Sequence, residues 1–186
     1  LMLVNGAGVE VRGLRLLGTS STAATGTINN GFLSLGTSSA GTPHGFYAKD
    51  LVVENTQVAA AGGTPVLVKV SGNVATGIQG VRIDDSWIGA WGLAPTYCVD
   101  MSGTAGPTRA EFRNTTFVID AQATTDAFVN LGTGQTEYAL FDRCKFVNVE
   151  AGTAPASAMV GALLVDNPVL MFDCSYINVT HAGTDT

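Results

Sequence analysis

The sequence predicts an all-β solenoid of about six coils, each built from three short strands. A nine-residue phrase with apolar residues at fixed positions returns six times, and a shorter apolar phrase alternates with it. Self-similarity of this kind is typical of chains that stack one structural unit on the next. Composition favours strands over long helices, because hydrophobic residues make up 46% of the chain, charged residues only 13%, and glycines number 23.

The nine-residue phrase predicts two strands with a bend between them. Its first, third and eighth positions are apolar in every copy. Because side chains alternate along a strand, columns that stay apolar are expected to face inward and to stack as ladders. The third-position ladder is Val11, Ala48, Ile83, Phe112, Phe141 and Phe172, and the eighth-position ladder is Leu16, Val53, Ile88, Phe117, Phe146 and Ile177.

The fifth position of the phrase predicts the bend. It holds Gly13, Asp50, Asp85, Asn114, Arg143 and Cys174. Gly, Asp and Asn tolerate a left-handed backbone, whereas Arg143 and Cys174 depart from this preference. The next position is expected to turn inward, and it holds Leu14, Leu51, Ser86, Thr115, Cys144 and Ser175. In this alignment Cys144 and Cys174 are offset by one residue, so we expect their thiols to diverge rather than to form a disulfide.

The shorter phrase predicts the third strand of each coil and an outward apolar stripe. Its copies end at Val4, Leu35, Val70, Met101, Leu131 and Val165. Three residues before each end, alternation predicts outward side chains at Leu1, Phe32, Leu67, Cys98, Phe128 and Ala162. Leu140 and Met171 are also predicted to point outward, on neighbouring coils. An exposed apolar stripe marks an interface and predicts a homo-oligomer, unless loops cover the stripe or a bulge reverses the alternation.

The bends carry a resemblance to a known family. "FRNTTF" at 112–117 and "FDRCKF" at 141–146 place a bend residue before a small inward residue and then a large one. In this the chain resembles the right-handed parallel β-helix of the pectate-lyase-like superfamily. The resemblance covers residues 1–180 as one domain, followed by a polar tail at 181–186. That superfamily includes polysaccharide lyases and hydrolases, adhesins, bacteriophage tailspikes and other virion proteins, and the resemblance implies a trimer.

The first strand also raises an expectation about the end of the solenoid. "LMLV" begins at Leu1 without a preceding amphipathic segment. Because exposed strand edges invite pairing with other chains, we expect either that the polypeptide continues upstream or that the first coil rests on another body.

Carboxylates are candidate catalytic residues, because glycoside hydrolases use a pair of them as acid and base. The candidates are Asp84, Asp142 and Asp173. The alternative is a surface ion ladder, with Asp84 and Asp142 on either side of Arg113. We expect the ladder, and therefore no catalytic residue, although Asp142 and Asp173 are predicted to stack on one another.

Exposed aromatic side chains are candidates for sugar binding. Trp87 and Tyr176 occupy a predicted outward column, and Trp91 lies in the adjoining loop. Their ring faces could stack on sugar rings, and the alternative is that they pack under a loop or in a subunit interface.

Charge and cysteine spacing argue against several partners. The net charge is −6, and nine basic residues are spread along the chain without a basic stripe, so nucleic acid is not an expected partner. The sequence has no run of 18 apolar residues, so a membrane is not an expected partner. The three cysteines, which include Cys98, lack the spacing of a zinc site, so neither a metal nor a cofactor is expected.

These observations predict a non-enzymatic structural protein of a virion surface, in a capsid-decorating, tail or spike role. The expected partners are further copies of the chain, other virion proteins and cell-surface polysaccharide, and the expected location is the virion surface or the extracellular space. The alternatives are a polysaccharide-degrading enzyme, whether depolymerase, lyase or glycoside hydrolase, and a bacterial adhesin. The preference for a virion protein comes from the resemblance.

Overall fold

The fold is described by a computed structural model, which covers residues 2–4, 8–18, 33–35, 45–55, 66–70, 80–90, 97–101, 109–119, 128–132, 138–149, 160–162 and 169–177. These residues form eighteen strands and no helix, so none of them belongs to a helix able to cross a membrane. The strands are β1 Met2–Val4, β2 Val9–Arg12, β3 Arg15–Gly18, β4 Leu33–Leu35, β5 Phe46–Lys49, β6 Val52–Asn55, β7 Val66–Val70, β8 Val81–Asp84, β9 Trp87–Ala90, β10 Tyr97–Asp100, β11 Arg109–Arg113, β12 Thr116–Ile119, β13 Val129–Gly132, β14 Tyr138–Asp142, β15 Lys145–Asn148, β16 Val160–Ala162, β17 Val169–Phe172 and β18 Ser175–Ile177.

The strands form three parallel sheets, and each sheet takes every third strand of the chain. Sheet 1 has the order β1-β4-β7-β10-β13-β16, sheet 2 runs from β2 to β17, and sheet 3 runs from β3 to β18 in the same steps of three. We call each set of three consecutive strands a row, so that the first row is β1 to β3 and the last row is β16 to β18. The predicted all-β class is confirmed, and every pairing between described strands is parallel.

The predicted ladders are confirmed over the first five rows. In sheet 2, Val11 is in register with Ala48, and the same column continues through Ile83, Phe112 and Phe141. In sheet 3, the corresponding column is Leu16, Val53, Ile88, Phe117 and Phe146. The aromatic part of each column is stacked, with ring centroids 5.1 Å apart for Phe112 and Phe141 and 5.2 Å apart for Phe117 and Phe146. The inner faces of all three sheets contribute to one buried cluster.

The predicted bends have the expected backbone. The φ angle is positive at Gly13 (63°), Asp50 (54°), Asp85 (48°), Asn114 (47°) and Arg143 (53°). The following residues turn inward, and Leu51, Ser86, Thr115 and Cys144 are buried. Each bend therefore separates a strand of sheet 2 from a strand of sheet 3.

The predicted alignment of the last copy is wrong by one residue. Phe141 is in register with Met171, not with Phe172, and Phe146 is in register with Tyr176, not with Ile177. The positive φ, 50°, falls on Asp173 rather than on Cys174. Asp tolerates this left-handed conformation far better than Cys, which explains why the bend selects it. Phe172 and Ile177, predicted to be internal, are 54% and 50% exposed.

The predicted outward stripe of sheet 1 is also wrong where the structure describes it. Leu67, Cys98 and Phe128 are at most 1% exposed, and the Phe128 ring packs edge-on against Phe146 at 5.5 Å. The amides of Cys98 and Val99 both donate to the carbonyl of Phe128, at 2.9 and 3.1 Å. An irregularity of this kind breaks the strict alternation, so two successive side chains can enter the core.

Burial is greatest in the middle rows. Phe112, Phe117, Phe141 and Phe146 are fully buried, with no measurable exposure. Inner residues of the first and last rows are only partly buried and pack against this core from either end: Val9, Val11, Leu14, Leu16, Val169, Met171 and Cys174. The outer face of sheet 2 carries, in the first four rows, the polar residues described in the next subsection.

Candidate functional site

A cleft of about 400 Å³ lies where four strands of sheet 2 begin. Three glycines, Gly8, Gly45 and Gly80, directly precede β2, β5 and β8 and form part of its wall. A β-carbon at Gly8 or Gly45 would meet no described atom within 4 Å, so these positions leave open space. Gly8 and Gly45 also have positive φ angles of 63° and 137°, which a residue with a side chain rarely adopts.

Tyr47 lies at the centre of the polar lining, between two arginines of neighbouring rows. The guanidinium carbon of Arg82 is 5.3 Å from the Tyr47 ring centroid, and that of Arg12 is 5.9 Å away. These distances are those of cation–π contacts. The Tyr47 hydroxyl donates to Asp84 Oδ2 at 3.2 Å. Tyr47 is therefore held in place by both its ring and its hydroxyl.

Asp84, the first catalytic candidate, has its carboxylate occupied by other side chains. Arg82 Nη2 donates to Asp84 Oδ2 at 2.6 Å, and Arg82 Nε lies 3.0 Å from Oδ1. Asp84 is only 6% exposed. The hydrogen bond to Asp84 raises the pKa of Arg82, so this cation stays charged. The arrangement neutralises the buried carboxylate and positions Arg82 beside Tyr47.

Glu111, one row further on, is held in a similar way. The Tyr138 hydroxyl donates to Glu111 Oε1 at 2.6 Å, and Arg113 Nη2 donates to Oε2 at 3.1 Å. Asp84 and Glu111 are thus each fixed by one arginine and one tyrosine hydroxyl, and Glu10, which also lines the cleft, is paired with Arg12. The carboxylates can accept hydrogen bonds from the hydroxyls of a ligand, and the arginines can donate hydrogen bonds to them, without moving.

The predicted placement of Asp84 and Asp142 on either side of Arg113 is confirmed by the strand register, but the ion pairs form within strands instead of between them. Arg113 pairs with Glu111 and Arg12 with Glu10, each two residues earlier on the same strand, and Arg82 pairs with Asp84, two residues later. Asp142 pairs with Arg143 at 3.3 Å. The prediction that Asp142 and Asp173 stack is wrong, because Asp142 is in register with Phe172. The within-strand pairs arise because side chains two residues apart point to the same face.

The two aromatic candidates for sugar binding that the structure describes, Trp87 and Tyr176, do not line the cleft. Trp87 folds over its own strand, because a β-carbon at Gly89 would lie 2.5 Å from the Trp87 ring. The predicted outward position of Tyr176 is wrong, since its ring stacks on Phe146 with centroids 5.7 Å apart. Trp91 lies outside the described residues.

The predicted interface residues divide into four groups. Leu1 and Phe32 lie outside the described residues, and Ala162 lies in β16 with its side chain not described. Leu67 and Phe128 are in the core. Met171 is also an inner residue, in register with Phe141. Leu140 is half-buried, and its partner in the last row is Leu170, which is 40% exposed.

Sequence reasoning missed the cleft, although the sequence contains its signal. A glycine precedes the main phrase at Gly8, Gly45 and Gly80, and the second position of the phrase is polar in the first four copies: Glu10, Tyr47, Arg82 and Glu111. A polar outward column next to small residues marks a surface recess on a sheet. Tyr138 could not be inferred to reach Glu111, because that contact depends on how neighbouring rows are placed.

The described residues contain no group of three or more His, Cys, Asp or Glu side chains able to hold a metal ion. No family model matches the chain, and comparison with curated proteins and with solved structures found no match either.

Proposed function

We propose that the chain is a right-handed parallel β-helix of six coils, with three strands in each coil. The order of every third strand in all three sheets supports this, as does the single core that the sheets share. Each connection between parallel strands of one sheet passes through the other two sheets. Such crossover connections are almost always right-handed, which supports the handedness.

The function that this geometry supports best is that of a structural protein of a virion surface, without enzymatic activity. The observation that carries it is the unbroken register of the inner ladders from row to row, which makes the body stiff along the stacking direction. A stiff body suits a capsid-decorating, tail or spike component that projects from a particle and contacts other virion proteins. The virion assignment itself rests on the resemblance of the bends to the pectate-lyase-like superfamily.

We further propose that the chain assembles as a homotrimer through the apolar surface of its last rows. Exposed large apolar side chains concentrate there: Val149, Leu170, Phe172, Tyr176 and Ile177. Contiguous exposed apolar surface is costly in water and is typical of an interface. In this proposal the apolar surface of the last rows is the interface, instead of the predicted stripe with Leu67 and Phe128, which lie in the core.

Mass in solution tests the assembly. The mass of one chain is 19.1 kDa, and light scattering of the wild type is expected to give three times this mass. The double variant Leu170→Asp with Phe172→Asp is expected to be a folded monomer, because a charge in an apolar interface loses its hydration. The control is Leu17→Asp, in the first row, where Leu17 is 48% exposed, and this variant should keep the wild-type mass. A wild-type monomer, or a double variant of unchanged mass, would contradict the trimer.

The cleft favours a second candidate function, the binding of a cell-surface polysaccharide. Tyr47, Arg82 and Glu111 offer fixed hydrogen-bonding groups on a recess large enough for a sugar ring. Calorimetry with capsular polysaccharide is expected to give binding that Tyr47→Ala weakens at least tenfold. The control Arg15→Gln changes an exposed arginine outside the cleft and should bind as the wild type does.

Incubation with the same capsular polysaccharide distinguishes binding from catalysis. A binding protein leaves the polysaccharide length unchanged during long incubation, whereas a lyase or hydrolase shortens it. Shortening that stops on Asp84→Asn would establish the enzymatic alternative and overturn the structural assignment. Binding without shortening by a monomeric wild-type chain would favour the adhesin.

A further inference from the structure

Cys144 and Cys174 lie in the same column of neighbouring rows. Asp142 is in register with Phe172, and Lys145 is in register with Ser175, so the two cysteines between them are neighbours. The amide of Ser175 donates to the carbonyl of Cys144 at 2.9 Å, which ties the two bends together at this point. The offset that the sequence alignment predicted for these thiols is therefore wrong. Both cysteines are free.

The surroundings of the two thiols follow a pattern that the column repeats. The hydroxyl of Thr115 lies 3.1 Å from the carbonyl of Arg113 and 3.2 Å from that of Ile83 in the preceding row. Cys144 Sγ is 3.4 Å from the corresponding carbonyl of Phe112. Cys174 Sγ is 3.5 Å from that of Phe141. The two sulfur atoms therefore leave their backbones in the same direction, on one side of the stacked bends.

The three cysteines of the chain differ in access. Cys98 and Cys144 are fully buried, whereas Cys174 lies in the last row and is partly exposed. A hydrogen bond from Cys144 lowers the pKa of Cys174 below its ordinary value, against opposing effects of partial burial and of the nearby Asp142 carboxylate. Burial raises the pKa of Cys98. Cys174 is thus the thiol that an electrophile in solution can reach, and the one that forms a thiolate most readily.

We propose that Cys174 and Cys144 form a peroxide-reactive site, in which Cys174 is the attacking thiol and Cys144 the resolving thiol. The product is a disulfide that links the last two rows. This modification site belongs to the single chain, and the proposed trimer would cover it.

The reaction balances in two steps with hydrogen peroxide as the oxidant. The Cys174 thiolate attacks one peroxide oxygen, the O–O bond breaks, and after proton transfer the products are a sulfenic acid and one water. The Cys144 sulfur then attacks the Cys174 sulfur, the S–O bond breaks, and hydroxide leaves as a second water with the Cys144 proton. In total, two thiols lose two hydrogens and one peroxide becomes two waters.

The spacing of the rows permits the bond. Neighbouring parallel strands lie about 4.8 Å apart, and the α-carbons of a disulfide are usually about 4.4–6.8 Å apart. The β-carbons must approach to about 3.8 Å, which requires a small movement of one bend toward the other. Among the described strands, those of the last row have a neighbour on one side only, so they can move in this way.

Mass spectrometry of the intact chain tests the site, after treatment with hydrogen peroxide at a dilution where light scattering shows the monomer. The wild type is expected to lose two hydrogens, and digestion without reductant should yield a peptide pair joined through Cys144 and Cys174. Thiol reductant should reverse both changes. Cys144→Ser is expected to gain one oxygen at Cys174, trapped by dimedone, because the resolving thiol is gone. Cys174→Ser should show neither change.

Serine is a suitable substitute because the column already holds Ser86 and Thr115 in the same surroundings. Circular dichroism of both variants checks that they fold. Cys98 acts as the internal control and should remain a thiol throughout. Oxidation of Cys98 as fast as that of Cys174, oxygen addition to the wild type without the cross-link, or no reaction at all would each overturn the proposal.

Discussion

At the scale of single residues, the bends determine where each strand of sheet 2 ends. Asp50, Asp85, Asn114 and Asp173 adopt the left-handed backbone, which Asp and Asn accept more readily than other residues with side chains. Their side chains also contribute: Asn114 Nδ2 donates to Asp85 Oδ1 at 2.8 Å, and Lys49 Nζ lies 3.3 Å from Asp85 Oδ2. These contacts lower the pKa of Asp85, with the hydrogen bond from Asn114 as the largest cause. Arg143 is the member of this column whose residue type fits the conformation least.

Replacing Arg143 tests the cost of that misfit. Arg143→Asn is expected to raise the free energy of unfolding by about 0.5–1 kcal/mol, because Asn accepts a φ of 53° that strains Arg. The exposed ion pair with Asp142 that this change removes contributes little. Urea unfolding at constant slope measures the effect. Arg143→Ala removes the same ion pair but keeps the strain, so a similar gain in this variant would contradict the explanation.

At the scale of elements, each strand is positioned by its neighbours in the sheet more than by its own sequence. Phe112 is fully buried because it stacks on Phe141 and packs edge-on against Phe117, with centroids 5.4 Å apart. Strand β9 shows the same dependence on its outer face. The Trp87 ring lies over Gly89, and only a residue without a side chain leaves room for it.

A double-mutant cycle tests this contact in β9. Gly89→Ala is expected to displace the Trp87 ring and to destabilise the chain by about 1–2 kcal/mol, because the added methyl group would lie 2.5 Å from the ring. In a Trp87→Ala background the same substitution should cost nothing, since alanine is favoured over glycine inside a strand. Urea unfolding gives the energies, and tryptophan fluorescence in a Trp91→Phe background reports the ring. Equal costs in both backgrounds would exclude the proposed contact.

At the scale of the whole molecule, stability is expected to decline from the middle rows toward the first and the last. Each row contacts mainly the rows on either side, as in repeat proteins, whose stability is roughly a sum of local terms. The middle rows have neighbours on both sides and fully buried phenylalanines. The last row has its inner residues partly exposed, and Phe172 is 54% exposed.

Hydrogen exchange followed by mass spectrometry tests this gradient. Amides of β11, β12, β14 and β15 are expected to exchange most slowly, and those of β2, β3, β17 and β18 at least tenfold faster. The double variant Leu170→Asp with Phe172→Asp should be used, because assembly would otherwise protect the last row. Uniform protection over all rows would show that the molecule unfolds as one unit.

Much of the fold could be predicted because the inner columns repeat. Val11, Ala48, Ile83 and Phe112 occupy one ladder, as their shared position in the phrase indicated. The bends at Asp50, Asp85 and Asn114 followed from residue type. The cleft was not predicted, because its contacts join different rows: Tyr47 meets Arg82 and Asp84, and Tyr138 meets Glu111, only when the rows are stacked.

The all-β class, the positions of the first five bends and the inner ladders of the first five rows follow from the amino-acid pattern, because a period of two along a strand and a recurring apolar column are compatible with one arrangement. The register of the last copy is known from the folded chain alone, because matching Phe141 to Phe172 and matching it to Met171 both keep the column apolar. The folded chain also shows that Leu67 and Phe128 enter the core and that Cys144 lies beside Cys174. These features depend on shared backbone hydrogen bonds and on left-handed backbone at Asp173, which no apolar pattern encodes.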